Sequence, residues 1–438
     1  MSSAETVHHA LTLAGAAAAI ARGTLTARAL AEAQLARVAA TDAAILAWTT
    51  LDAAHVRAAA DRCDATRADV PLRGIGIGVK DIIHTRALPT GLGSPAFAGR
   101  RSEADAACVE RLAQAGGYVF GKTVSTELAF MHPGPTRNPW NPAHTPGGSS
   151  SGSAAAVAAG HVTGAIGTQT NGSVIRPAAY CGVVGFKPSL GAIPFAGVNL
   201  FSETFDTLGT FTRNVGDAAR LAAALADGIP ALPPKRGRPP RLALLPQFPW
   251  APVDAATAAA LARAAAALRA GGADVAAVAL PATWASAAAV HRVIMLAEGA
   301  RNLAALRRDH DADLSARLRA ALDEGGAIAA PDYRAALAER ARMLAAVPPW
   351  LAGVDAVLTP AAPAAAPAGL EGTGDPACCT LWSLLGVPAI TLPNGLDDAG
   401  LPLGLQLAAG PGDDAGLLGV AAWCEACLPS VPALRSPQ

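Results

Sequence analysis

The 438-residue chain predicts an α/β fold, and three features of the sequence carry that prediction. Short strand-like runs rich in Gly, Ile and Val alternate with stretches of helical periodicity, the order expected when helices pack on a sheet. Hydrophobic residues make up 52% of the chain while 34 basic and 34 acidic side chains cancel, so there is ample material for a deep core. One long segment without any charge, residues 138–175, is too rich in Gly, Ser, Thr and Pro for a membrane helix. It stands out as the anomaly between flanking strand and helix patterns.

Taken in order, the first 70 or so residues read as helices. Leu30, Leu35 and Val38 recur at helical spacing after Thr26, a suitable N-cap, and a second amphipathic stretch covers residues 51–63. The texture then changes. Residues 74–79 alternate Gly with Ile and Val and read as a strand that delivers Lys80 and Asp81 at its end. Residues 103–115 read as a helix, 117–121 as a short strand and 124–130 as a helix or turn. After the Pro-, Gly- and Ser-rich stretch 138–153 comes a short Ala/Val helix to Ala159, with buried strands at 164–168 and 182–186. The basic, proline-rich segment 233–240 reads as a solvated connection ahead of a strand at 241–245. Long helices are expected over 255–346, and late strands at 355–359 and 389–392.

Composition excludes several function classes. Balanced charge and a pI near 7.1 argue against an electrostatic binder of nucleic acid or anionic membrane. The N-terminus has no basic region and only a short Ala-rich run, so no signal peptide and a cytoplasmic location are expected. Seven cysteines make a disulfide framework improbable. Cys424 and Cys427 lack a second CxxC pair and read as small thiols on one helix face, and the nine histidines contain no HExxH, so no metal and no cofactor are expected.

The chemistry concentrates in the uncharged stretch, which holds Gly147-Gly-Ser-Ser-Ser-Gly-Ser153 and Thr168-Gln-Thr-Asn-Gly-Ser173. No lysine follows Gly152, as a phosphate-cradling Walker loop would require, and the dinucleotide fingerprint is missing. The remaining reading is a nest of backbone N–H groups serving a nucleophilic serine. Such a serine needs a base. His144 and His161 are near in sequence, yet neither lies in a recognisable nucleophile elbow. A neutral lysine is the alternative, and only four of the 34 cations are lysines: Lys80, Lys122, Lys187 and Lys235. Bringing lysine from ~10.4 to ~7 corresponds to about 4–5 kcal/mol, which a buried strand end can supply if no anion pairs with it. Asp81 is adjacent, but neighbours on a strand point to opposite faces.

Gly78-Val-Lys-Asp81, Pro146-Gly-Gly-Ser-Ser-Ser-Gly-Ser153 and Asn171-Gly-Ser173 together resemble the amidase signature family. Gly121-Lys-Thr123, Glu127-Leu-Ala129, Asn138-Pro-Trp-Asn141, Gly185-Phe-Lys-Pro188 and Gly400-Leu-Pro-Leu-Gly-Leu-Gln406 extend the resemblance through most of the chain. It implies a single domain over 1–438: a helical segment at 1–70, a catalytic signature region at 71–220, and a part at 241–438 completing a large mixed twisted sheet with helices on both faces. It further implies Ser173 as nucleophile, Ser149 as bridging serine in a cis peptide with Gly148, and Lys80 as base. The N–H groups of Thr170, Asn171, Gly172 and Ser173 would form the oxyanion hole. Two departures stand out. Gln169 and Asn171 replace an acid and a glycine in the usual T-D-T-G-G-S. Arg176 falls one position later than in the usual I-R-x-P.

Gln169, Arg176 and Ser150 are therefore expected to support the site, Ser150 by orienting Lys80. Ser151 and Ser153 read as loop or cap hydroxyls, Lys122 and Lys187 as structural, and Tyr180 and Cys181 as core. His84 and His132 either border the pocket or are ordinary half-buried histidines, and Trp382 lines a cavity or packs in the core. The resemblance implies hydrolysis of a small amide, with carbamates and ureides as alternatives. A glutaminase component of an amidotransferase is the runner-up, and a non-catalytic scaffold the alternative of a different class. A homodimer is compatible with the sequence. Pocket residues are expected within 120–140, 190–210 and 290–390. Phe195, Val198, Leu200 and Phe201 point to an apolar substrate, with no charged residue assigned to bind a charged acyl group.

Overall fold

The computed structural model describes residues 8–66, 69–431 and 434. The chain opens with α1 (Leu13–Ala21) and α2 (Ala27–Ile45), started by Thr12 and Thr26, whose hydroxyls accept first-turn N–H groups. β1 (Trp48–Thr50) and α3 (Ala53–Thr66) lead to β2 (Gly76–Lys80), α4 (Ala107–Gln114) and β3 (Tyr118–Thr123). The uncharged stretch and its surroundings form α5 (Ser151–Ala158), β4 (Gly164–Gln169), α6 (Ile175–Cys181) and β5 (Val184–Lys187). Then come β6 (Thr207–Thr212), α7 (Val215–Leu225), β7 (Arg241–Leu244), α8 (Ala255–Ala270) and β8 (Asp274–Ala277). Five helices follow: α9 (Ala287–Asn302), α10 (Ala304–His310), α11 (Ala316–Ala327), α12 (Ala330–Ala345) and α13 (Val347–Trp350). β9 (Ala356–Pro360), α14 (Thr380–Leu384), β10 (Ala389–Leu396), β11 (Pro402–Ala408) and α15 (Asp414–Cys427) complete the chain.

These strands form one sheet in the order β1-β3-β2-β4-β6-β5-β10-β11-β9-β7-β8. β2 pairs in parallel with β3 and β4, and β7 with β8 and β9, while the central pairings are antiparallel. Side chains alternate between two cores. Ile77, Val79, Ile166 and Leu208 enter one core with Leu13, Leu112 and Leu221, whereas Ala165 and Phe211 meet Ala154 and Ala178 on the other face. Beyond them, Leu242, Leu358 and Leu405 pack with Leu261 and Leu418, while Ala243, Val357 and Ala408 pack with Ile294 and Met343. Helices thus cover both faces of a large mixed sheet, as the resemblance implies. No helix among the described residues is long and apolar enough to cross a membrane.

Two expectations are corrected. The first 70 residues are not all helical, because Trp48–Thr50 pairs with β3 as an edge strand too short to show alternation. Nor is 255–346 an unbroken run of helices. Residues 274–277 form the opposite edge strand, where only Val275 is buried and Asp and Ala carry no strand propensity. β6 and β11 also went unpredicted as strands. Cys424 is buried on α15 as expected, with Cys427 half-buried beside it.

What positions the site is a face of small residues. Gly76, Gly78 and Lys80 share one face of β2, and a Cβ on Gly76 would lie 2.8 Å from the Phe120 ring. α5 packs against this region with Gly152 so close that a Cβ there would lie 2.3 Å from the Ala47 carbonyl and the Val124 nitrogen. The helix start, and Ser149 just before it, can therefore approach the end of β2 closely.

Candidate active site

Lys80 is fully buried where β2 ends, and both of its hydrogen-bond partners are hydroxyls. Its Nζ lies 2.6 Å from Ser149 Oγ and 2.7 Å from Thr168 Oγ1. Burial lowers its pKa to about 7, opposed by the charge of Asp206. Asp81, one residue on, turns to the other face and lies 3.8 Å from Lys122 Nζ. The Gly148–Ser149 peptide is cis. Gly147 before it has φ +81°, and a Cβ there would lie 2.8 Å from Pro177 Cα, so glycine alone fits.

The segment between β4 and α6 carries Ser173. Gln169, at the end of β4, uses its Oε1 to accept the Val174 and Ile175 N–H groups at 2.8 and 3.0 Å, and its Nε2 donates to Ser383 of α14. It caps α6 as a carboxylate would, but without a buried charge. Asn171 is held from the same helix: its Oδ1 accepts from Thr380 Oγ1 at 2.9 Å and its carbonyl from Ser383. Thr170 is gripped twice. Its Oγ1 donates to Asp206 at 2.6 Å, and its carbonyl lies 3.0 Å from Nε2 of buried His291. Burial pushes His291 down to about 4, so the ring is neutral near pH 7 and donates here. With those contacts fixing the loop, the N–H groups of Thr170, Asn171, Gly172 and Ser173 donate to no backbone carbonyl among the described residues. Ser173 lines a small cleft of about 50 Å³. Phe130, Met131, Phe201, Met295, Pro376 and Arg176 line it.

The structure joins Lys80, Ser149 and Thr168 by hydrogen bonds at the meeting of β2, β4 and the start of α5, and the loop 169–173 continues directly from Thr168. Ser150 contributes differently from the expectation: its hydroxyl bonds the Thr168 backbone carbonyl and N–H at 3.2 and 3.3 Å and does not reach Lys80. The side chain that orients the lysine is Thr168. Ser151 bonds the Val124 carbonyl just past β3 and Ser153 the Ile166 carbonyl of β4, Tyr180 and Cys181 are buried, and Lys187 donates to the Val387 and Pro188 carbonyls. Trp382 packs against Phe248 in the core. His161 is buried between Thr41 and Trp48, and His144 bonds the Ala366 carbonyl, which leaves neither beside Ser173. His84 bonds Arg100, and His132 lines a separate groove with Glu127. Thr168, Asp206 and His291 were missed, although Asp206 and His291 lie 36 and 121 residues from the Thr170 they hold. No group of His, Cys, Asp and Glu among the described residues could hold a metal ion.

Comparison with known proteins agrees with this architecture. The Amidase family profile matches residues 29–418. One component of the glutamyl-tRNA(Gln) amidotransferase of Synechococcus sp. (strain WH7803) is 34% identical over 444 residues, covering 89% of this chain and 91% of that protein. A crystal structure of an amidase superposes with a TM-score of 0.87 at 32% identity, covering 96% of this chain and all of that one. Native peptide amidase from Stenotrophomonas maltophilia superposes with a TM-score of 0.82 at 29% identity, covering 97% and 98%.

Proposed function

The chain belongs to the amidase family of hydrolases, and on that premise we propose that it cleaves the carbon–nitrogen bond of a small amide through an acyl-enzyme on Ser173. The observation that carries this reading is the buried Lys80 bonded to Ser149, with no carboxylate among its hydrogen-bond partners. A lysine with a pKa of about 7 is neutral in a large fraction of molecules near neutrality. Neutral Lys80 takes the Ser149 proton while Ser149 takes that of Ser173, and Ser173 Oγ attacks the amide carbonyl. The N–H groups at 170–173 stabilise the oxyanion, where one lost donor typically costs a few kcal/mol. The relay returns a proton to the leaving amine, and water releases the acid. Gln169, Thr168, Ser150, Asp206 and His291 hold this arrangement in place.

Ser173→Ala should abolish turnover, and a fluorophosphonate should label Ser173 in the native protein. Mapping of the adduct to Ser149 would reverse the two serine roles. A second reading, the glutaminase component of an amidotransferase, draws on the amidotransferase relatives. Glutamine hydrolysis that rises on adding a partner protein would favour it over a free-standing amidase. A screen of aliphatic amides, aryl amides, carbamates and ureides separates the substrate classes the same relay can serve.

A further inference from the structure

Arg176 is the buried charge that the relay does not use. It is 4% exposed, on the first turn of α6 three residues after Ser173, and it lines the same cleft as the nucleophile. One amino group, Nη2, donates to the Gly148 carbonyl at 2.6 Å and to Thr373 Oγ1 at 3.1 Å. The other two donor nitrogens, Nε and Nη1, are buried and have no hydrogen-bond partner among the described residues. The carboxylate that acts on it through space, Asp375, is exposed to solvent. The remaining cleft wall is apolar side chains and loop, with no acidic residue. A guanidinium cannot shed its charge at physiological pH, and a buried one with free donors is costly unless something anionic meets it.

Its place in the fold ties it to the relay. Arg176 lies in the first turn of α6, and its Nη2 reaches the Gly148 carbonyl, next to Ser149. The guanidinium is therefore within a residue of the relay, which limits the distance between whatever it binds and the scissile carbonyl.

We infer that Arg176 is an anion-binding residue and that the amide cleaved at Ser173 is a compact molecule bearing a carboxylate a few bonds from the scissile carbonyl. This inference rests on the amide-hydrolase reading above, and it replaces the expectation of a purely apolar substrate. The walls of Phe130, Phe201 and Met295 would enclose the short carbon chain, while a free guanidinium nitrogen, Nη1 or Nε, donates to a carboxylate oxygen. The carboxylate belongs either to the acyl part, as in a half-amide of a dicarboxylic acid, or to the leaving amine, as in an N-acyl amino acid.

The test compares matched pairs. Succinamate and glutaramate are measured against their methyl esters, and N-acetylglycine against its methyl ester. The native enzyme should prefer at least one acid over its ester by tenfold or more in kcat/KM, and the preferred pair identifies the side that carries the charge. Arg176→Gln should lower kcat/KM for that acid by about 100-fold or more, mainly through KM, and erase the preference. Arg176→Lys, which keeps the charge but loses the planar guanidinium, should restore part of it. In parallel, calorimetry on Ser173→Ala should detect binding of the preferred acid, and Ser173→Ala/Arg176→Gln should lose it. Equal turnover of acids and esters by the native enzyme would overturn the inference. So would an equal loss for both in Arg176→Gln, because the arginine would then serve only to hold the Gly148 carbonyl. Absence of binding by all three acids to Ser173→Ala would overturn it as well. If neutral amides are hydrolysed and Ser173 is labelled in that case, the amide-hydrolase reading survives without it; absent labelling and turnover would defeat the hydrolase reading itself.

Discussion

Lys80 and Lys122 lie on adjacent parallel strands, where Val79 is registered with Lys122 and Lys80 with Thr123. Both are completely buried, yet they face opposite sides of the sheet and meet opposite chemistry. Lys122 donates to the Ile83 carbonyl and to Thr90 Oγ1, with Asp81 3.8 Å away. A carbonyl and a carboxylate only accept, so this site suits an ammonium. Lys80 meets two hydroxyls, which can donate as well as accept, so a neutral amine keeps both contacts. Burial lowers both, Lys122 to about 8 and Lys80 to about 7. Burial alone therefore does not make a base. The kind of partner decides whether the proton can leave.

Lys80→Ala should break the comparison most severely. We expect kcat to fall by about 10⁴-fold or more, the scale seen when a member of such a relay is removed. Circular dichroism should remain native, and appreciable turnover would sink the assignment of the base. Lys122→Met should do the reverse. It leaves Asp81 buried without its partner, at about 3–5 kcal/mol of stability, read as a lower denaturation midpoint. Loss of turnover without loss of stability would erase the distinction between the two lysines.

The pH dependence sharpens the contrast. Lys80 works as a base only when deprotonated, so activity is lost as pH falls through its folded pKa of about 7. The rate of the chemical step should drop about tenfold per unit well below that point and level off above it. A profile flat from pH 5 to 9 would contradict this. The smallest effect is expected for Thr168→Val, which removes one of the two hydroxyls on Lys80. A loss of about 2- to 12-fold in kcat corresponds to one hydrogen bond of about 0.5–1.5 kcal/mol. A loss as large as that of Lys80→Ala would make Thr168 part of the proton relay.

Much of the site was legible because its residues are unusual for this chain. A lysine at the end of a Gly-Ile strand stands out where arginine supplies nearly all the cations, and the Gly/Ser clusters stand out in a segment without charge. Thr168 did not stand out, since one hydroxyl in a Thr-rich run gives no sign of which atom it faces. Asp206 and His291 carry no local motif, and their function arises only where β6 and α9 pack against the loop. Arg176 was noticed for its displaced position, but its two free donors exist only once α6 is docked and the Gly148 carbonyl has taken the third.

What the sequence by itself determined is the alternation of strands and helices, the small-residue face that admits α5, and the residue types able to form a relay. These follow from local propensity and from which side chains can exchange a proton. The order of eleven strands, the edge strands β1 and β8, and the partner of each buried lysine were decided by tertiary structure. The reason is physical: strand pairing and hydrogen-bond partnership join residues tens to hundreds of positions apart, and a lysine's pKa is set by the groups packed around it.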